Sequence, residues 1–232
     1  MITSAANPRL KLVRRLRSGA QRRRLGLFVV EGEDLVAAGL AAGLEPVDRL
    51  VAGEDVEPAL LAGVSELPHA ARVLAVFRSA DLPRFDQSNR PLHGLALWRV
   101  SDPGNVGTLL RCADAFGAAV FVSRGCAEPT GEKALRASAG AVFRVPVGRF
   151  EEAPLPWIGL VARGGRPLSE LELGASVTFV LGAEREGLPP QVLDGCDELV
   201  TIPLAAGAES LNVAAAGAIA LYEWSRQRRG GS

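Results

Sequence analysis

The chain has 232 residues, 48 % hydrophobic and 22 % charged, with 26 basic and 26 acidic side chains. That length allows one large domain or two small ones, and the balance is that of a globular protein and excludes a disordered one. No run approaches the ~20 apolar residues of a spanning helix, and no signal-type apolar core follows Met1-Ile2-Thr3-Ser4, so a cytoplasmic protein without a membrane partner is expected.

The neutral total hides an asymmetry. From Met1 to Arg24 the chain carries Arg9, Lys11, Arg14, Arg15, Arg17, Arg22, Arg23 and Arg24 and no acid, and its tail adds Arg226, Arg228 and Arg229. Nearly all of these are arginine, whose planar fork matches phosphate. A basic arm on a neutral protein points to a polyanionic partner, although a solvated helix face shows the same pattern.

In chain order, a helix is predicted from about Asn7 to Ser18, with Leu10, Val13 and Leu16 as a sparse apolar stripe. Leu27–Val30 reads as a strand leading into a Gly32–Leu40 helix. Arg49–Val51 is a second strand, Pro58–Leu61 a short helix and Arg72–Phe77 a third strand, making a small α/β unit over residues 1–80. The polar, proline-containing stretch from Ser79 to Pro91 supplies a linker, placed at 81–91. Over 92–232, Leu95–Val100, Ala118–Val122, Phe143–Val147, Trp157–Ala162, Val177–Leu181 and Leu199–Pro203 are short apolar runs. Helical or glycine-rich segments separate most of them. Such runs predict a parallel sheet covered on both faces, with ligands outside the carboxyl ends of its strands.

Three segments that follow strands depart from what core packing asks. In the first, Asp102 to Arg111, Pro103 and Gly104 are expected to turn and Asn105 to cap a helix. Leu109, Cys112, Ala113 and Phe116 share the buried stripe of that helix, and Gly117 stops it. Arg111 then lies opposite the stripe, on one face with Thr108. The second, Gly182-Ala183-Glu184-Arg185-Glu186-Gly187-Leu188, invites close backbone approach by a ligand. It lacks the GxGxxG fingerprint and a phosphate-binding lysine, and it suits a neutral adenine edge or a cationic sulfonium better than a pyrophosphate. The third runs from Ile202-Pro203-Leu204 through Glu209-Ser210-Leu211-Asn212 into a helix so uniformly small and apolar that its own sheet, a partner subunit or both must cover it. Ser210 or Asn212 is expected to satisfy its first amides. The three cysteines, Cys112, Cys126 and Cys196, form no CxxC, and His69 and His93 are the only histidines. A disulfide framework or thiolate zinc site therefore has little support.

Taken in this order, the three segments resemble the signature motifs of the SpoU/TrmH family of RNA ribose 2′-O-methyltransferases in the SPOUT superfamily. The first motif is matched by Asn105 to Gly117 and the second by Gly182 to Leu188. The third is matched by Ile202-Pro203-Leu204 and Ser210 to Ala214, on to Tyr222-Glu223. Ala137 to Val147 is similar to the family's small-residue turn and strand. Asn7 to Lys11 and Phe28 to Gly32 more loosely resemble the ribosomal-protein-like substrate-binding domain that many relatives carry.

The resemblance implies an α/β chain: a small ribosomal-protein-like RNA-binding domain, then a parallel-sheet SPOUT domain ending in a trefoil knot. It implies S-adenosylmethionine as cofactor, held mostly by backbone around Gly182, Ile202 and Leu211. No metal is needed, because a sulfonium is already an activated leaving group. The implied partners are RNA, ribosomal before transfer RNA, and a second copy of the chain in a homodimer. Arg111 would activate the ribose hydroxyl, with Asn105, Glu184, Ser210 and Asn212 shaping the catalytic site. A guanidinium is not readily deprotonated, so Arg111 is read as gripping a phosphate and stabilising an alkoxide, with a literal base as the alternative. A nucleotide hydrolase lacks its P-loop lysine or nucleophile elbow here, and a non-catalytic RNA binder would not need these polar residues intact.

Overall fold

The computed structural model describes residues 1–67, 69, 71–86, 88 and 93–229. The basic arm forms two helices, α1 (Pro8–Leu16) and α2 (Gly19–Leu25). The Asn7 side chain caps α1, Pro8 opens it, and the stripe Leu10, Val13 and Leu16 is fully buried. The second helix was not predicted from the sequence, because its seven residues bury no side chain and so carry no periodic signal.

Next come β1 (Leu27–Glu31), α3 (Glu33–Ala41), β2 (Asp48–Val51), α4 (Pro58–Ala62) and β3 (Val73–Arg78). Among the described residues the strands form an antiparallel sheet in the order β1-β3-β2. Alternation along β1 and β3 divides its side chains between two faces. Val29, Leu74 and Val76 pack under α1, whereas Phe28, Val30, Ala75 and Phe77 join the core of the remaining chain. Phe77 sits 6.0 Å from Phe143, centroid to centroid, so the small sheet and the larger unit share apolar packing.

The larger unit contains β4 (His93–Leu97), α5 (Pro103–Phe116), β5 (Ala119–Val122), α6 (Glu132–Ser138), β6 (Val147–Arg149), β7 (Trp157–Leu160), β8 (Arg166–Pro167), β9 (Val177–Leu181), α7 (Pro190–Leu193), β10 (Glu198–Thr201) and α8 (Val213–Arg229). Its described strands form one parallel seven-stranded sheet in the order β6-β5-β4-β9-β7-β10-β8. Apolar cores lie on both faces: Leu95, Leu97 and Phe179 point toward α5 and α8, and Ala96, Phe121 and Val180 point the other way.

One expectation needs correction. The strand expected over Phe143–Val147 begins at Val147, and Ala141–Phe143 is a 3₁₀ turn. Ala139 and Gly140 both take positive φ and swing the chain so that Phe143 fills the core between the sheets. The stretch expected as linker is partly ordered onto the large sheet: Ser79–Asp81 is a 3₁₀ turn, Phe85 N–H donates to the Val147 carbonyl (3.2 Å), and the Phe85 ring meets Phe121 edge-on at 4.6 Å. Gln87, Asn89, Arg90 and Pro91 lie outside the described residues.

Half of the basic arm is committed to structure. Arg9 pairs with Asp48, Arg17 with the buried Glu31, and Arg22 and Arg23 both with Glu128 of the larger unit. Arg22 also donates to the carbonyls of Leu16 and Arg17, tying the end of α1 to Glu128. Lys11, Arg14, Arg15 and Arg24 are exposed and make no ion pair among the described residues.

Helix α5 lies tightly against α6 through Gly107, where an added Cβ would collide with the Ala134 carbonyl and sit 2.6 Å from Ala137 Cβ. Gly-to-Ala within a helix ordinarily gains about 0.5–1 kcal/mol, but overpacking a filled interface costs about 1–3. The second effect wins at a backbone obstacle. Gly107→Ala is expected to lower stability by about 1–3 kcal/mol in urea denaturation, and an unchanged midpoint would show that the two helices are not so close.

Candidate functional site at the carboxyl ends of the parallel strands

Parallel strands deliver all their carboxyl ends to one side, and the loops there come from distant parts of the sequence. The first is the start of α5. Asp102, not Asn105, is its cap, because the Asp102 carboxylate accepts the Asn105 N–H at 2.8 Å. Pro103 and Gly104 are its first two residues and not a separate turn, since the fixed φ of proline suits a first helical position. The Asn105 side chain, freed from capping, faces the crevice. Leu109 and Ala113 are buried, Cys112 and Phe116 partly so, and Gly117 takes the left-handed C-terminal position.

The second loop, 182–188, doubles back on itself: Gly187 N–H donates to the Ala183 carbonyl at 2.9 Å. A Cβ on Gly182 would run into Gly187 and sit 2.6 Å from Leu188 N, and Gly187 itself has φ +66°. The third segment leaves β10 at Ile202 and reaches α8 at Asn212. Asn212 Oδ1 accepts from the amides of Ala214 and Ala215, so this residue is the cap.

These segments are tied by side chains. Asn212 Nδ2 donates to Asn105 Oδ1 at 3.0 Å, and Asn105 Nδ2 donates to Glu184 Oε1 at 3.0 Å. A cavity of about 570 Å³ lies beside this chain of bonds. Of the residues singled out in the sequence, Gly182, Glu184, Ile202, Ser210, Leu211 and Asn212 line it. Asn105 touches it through Glu184 and Asn212. Arg111 does not line it: six residues past Asn105, it stands ~9 Å further along the axis, exposed on the outer face of α5 and without an ion pair among the described residues. Burial pushes the neighbouring Cys112 thiol up, partly offset by Arg111, which leaves it a poor nucleophile.

Sequence reasoning missed the Leu160-Val161-Ala162 wall after β7, together with Thr201. An apolar strand end carries no chemical mark, and its place at the crevice follows only from β7 lying between β9 and β10. Leucine and isoleucine side chains, exposed backbone and the acids Glu184 and Glu186 outweigh the single cation Arg185 in this lining. The cavity therefore suits an uncharged aromatic or cationic ligand and disfavours a polyphosphate.

The profile of the SpoU rRNA methylase family matches residues 93–222, a span containing every residue of this site. The chain belongs to that family. As a SpoU-family member it is an RNA methyltransferase. Over 98 % of its length it is 32 % identical to the uncharacterized tRNA/rRNA methyltransferase of Synechocystis, covering 94 % of that protein. Its fold matches that of an AdoMet-bound rRNA methyltransferase from Sinorhizobium meliloti, with a TM-score of 0.87, 26 % identity and coverage of 97 % of each chain. An RNA 2′-O ribose methyltransferase structure matches with a TM-score of 0.80 and 30 % identity, over 98 % of this chain and 99 % of that one. No helix among the described residues is long and apolar enough to cross a membrane.

The doubled-back loop gives a direct test. Gly182→Ala should open the 183–187 turn, so that the Gly187 amide exchanges hydrogen about tenfold faster or more while β9 amides keep their protection. Unchanged exchange at Gly187 would mean that the close approach is not required.

Proposed function

We propose that this chain transfers a methyl group from S-adenosylmethionine to a ribose 2′-hydroxyl of structured RNA, ribosomal RNA in the first instance, as a cytoplasmic homodimer. The observation that carries the reading is the Asn212–Asn105–Glu184 chain of hydrogen bonds, which holds the start of α5 against the cavity walls built by the other two segments. The residues present fit the cofactor. The cavity volume falls in the ~300–1,000 Å³ range of small-molecule sites, its apolar lining suits adenine, and Glu184 and Glu186 suit a cationic sulfur. Likeness to a 2′-O ribose methyltransferase supports the acceptor, and the family description supports ribosomal RNA.

In this reading residues 1–80 are the RNA-binding domain, 81–91 the linker and 92–232 the methyltransferase domain. Lys11, Arg14, Arg15 and Arg24 face the RNA. The segment from Ile202 into α8 is threaded as the trefoil knot of the SPOUT fold, and Gly182, Ile202 and Leu211 hold the cofactor through backbone. When bound, S-adenosylmethionine supplies a methyl group on a cationic sulfur.

The side chains then have three tasks. Asn105, clamped on both sides, orients the ribose, with Ser210 at the cavity edge as a further contact. Arg111 lies outside the cavity of its own chain, so it acts across the proposed homodimer, gripping the phosphate next to the ribose at the second copy's cavity and stabilising the developing alkoxide there. The hydroxyl proton would pass to a phosphate oxygen or water, and the S-adenosylmethionine held by Gly182, Ile202 and Leu211 would supply the methyl group. Alignment on this pattern supplies about 7–11 kcal/mol in the most favourable intramolecular cases.

The homodimer rests on an uncovered stripe. Leu211 just before α8 and Ala215, Ile219 and Tyr222 within it are exposed, Tyr222 by 60 %, and α8 packs through Gly217 on α5, where Thr108, Arg111 and Ala115 are exposed as well. A second copy seated there would cover the stripe and bring Arg111 into the interface. The paired change Ile219→Asp and Tyr222→Asp is expected to halve the mass measured by light scattering, and a monomeric wild type would overturn the dimer.

S-adenosylhomocysteine at 100 times its dissociation constant should stabilise the protein by ~2.7 kcal/mol. Arg111→Lys should keep RNA affinity within a few-fold while losing turnover by about 10²-fold or more. Near-wild-type turnover in that variant would reject a special role for the guanidinium. Mass-spectrometric mapping of ribose methylation in total RNA, with and without the protein, tests the acceptor: a missing mark in transfer RNA redirects the substrate, and no missing ribose mark defeats the reading.

A further inference from the structure

Two non-glycine residues among those described have positive φ. Ala139 (φ +48°) ends helix α6, where the left-handed conformation is common. Arg99 (φ +54°) ends no helix. It follows β4 at the carboxyl side of the sheet, where arginine is disfavoured and glycine would fit without strain.

The surrounding backbone dictates this conformation. Trp98 N–H donates to the Leu181 carbonyl (2.8 Å), Ser123 N–H to the Leu97 carbonyl (3.0 Å) and Ala127 N–H to the Val100 carbonyl (2.9 Å). The Arg99 amide itself donates to the buried Ser123 Oγ at 2.9 Å. The side-chain stem lies over Gly125, so that a Cβ there would be 3.4 Å from Arg99 Cγ and 3.5 Å from Nε. Nothing in this packing needs a cation. The side chain stands 59 % exposed, and its one ion-pair partner among the described residues, Glu186 at 3.9 Å, is 74 % exposed, too loose and too solvated to account for it.

Its position is informative. Arg99 lies between the loop after β5 and the 182–188 loop that walls the cavity. The β5 loop continues to Glu128, the residue on which Arg22 and Arg23 dock the basic arm. From Ser123 to Glu128 is at most about 18 Å of chain, with the exposed Arg124 on the way. Arg99 thus stands beside the loop that links the arm's docking residue Glu128 to the cavity wall.

Building on the proposed RNA methyltransferase reading, we infer that Arg99 is a substrate-positioning residue that grips a backbone phosphate of the RNA at the mouth of the cavity, separately from Arg111. A phosphate contact of this kind adds affinity that weakens with salt.

The test uses the full chain, labelled S-adenosylmethionine and ribosomal RNA transcribed in vitro, over a salt series. Arg99→Gly relieves the backbone and so keeps the fold. It should lower kcat/KM for RNA by about tenfold and reduce the slope of log(kcat/KM) against log[salt] by about one. Arg99→Lys should keep most of that slope. The thermal shift produced by S-adenosylhomocysteine should be the same in all three proteins, because Arg99 does not line the cavity. An unchanged salt slope in Arg99→Gly overturns the inference. So does a loss confined to cofactor affinity, which would make Arg99 a prop for the loop through Glu186. A wild type that methylates no RNA defeats the parent reading, whereas an active wild type with an insensitive Arg99→Gly defeats only this one.

Discussion

The site depends on one side-chain amide. Asn105 accepts from Asn212, 107 residues on, and donates to Glu184, 79 residues on, and so joins three segments distant in the sequence. A lone hydrogen bond contributes about 1 kcal/mol net, which is little against the entropy of three loops. The junction holds because each partner is already constrained. Asp102 takes the Asn105 backbone amide, the Gly182–Gly187 doubling aims Glu184, and Asn212 spends its own oxygen on the first amides of α8. With both ends of each amide spoken for, the polar face of the cavity is set before any ligand enters. That is the preorganisation an alignment-driven displacement requires.

The parallel sheet makes the junction possible and glycine makes it tight. Gly217 lets α8 close onto α5, since a Cβ there would be 2.5 Å from Leu109, and Gly107 does the same between α5 and α6. Helix α5 is thus wedged from both sides, leaving only its first turn and its outer face open. Asn105 is on the first and Arg111 on the second. The separation explains why the cavity does not include Arg111.

The basic arm plays two parts. Arg9, Arg17, Arg22 and Arg23 are consumed by acids of the fold, and the Arg22–Glu128 contact fixes the arm to the loop that leads toward the crevice. The remaining cations stay in water. A formal net charge of zero is therefore compatible with a polyanion partner, because the pairing is local and the unpaired cations are grouped.

Much was legible in the sequence alone. The stripe Leu10, Val13 and Leu16, the apolar runs of the parallel strands, the glycine-punctuated 182–188 loop and the polar start of α8 each carry local physics: periodicity, φ tolerance and capping. The three motifs in order also carried the family. What only the tertiary structure decided is what these pieces do to one another. It moved the cap from Asn105 to Asp102, turned Phe143 from a strand residue into an inter-sheet plug, placed the unmarked end of β7 in the cavity and left Arg111 outside it. It also showed that Arg99 adopts a conformation its residue type disfavours. Spacing along a chain records which residues share a face, but strand order determines which faces meet, and strand order is set by burial summed over the whole molecule, which no local window contains.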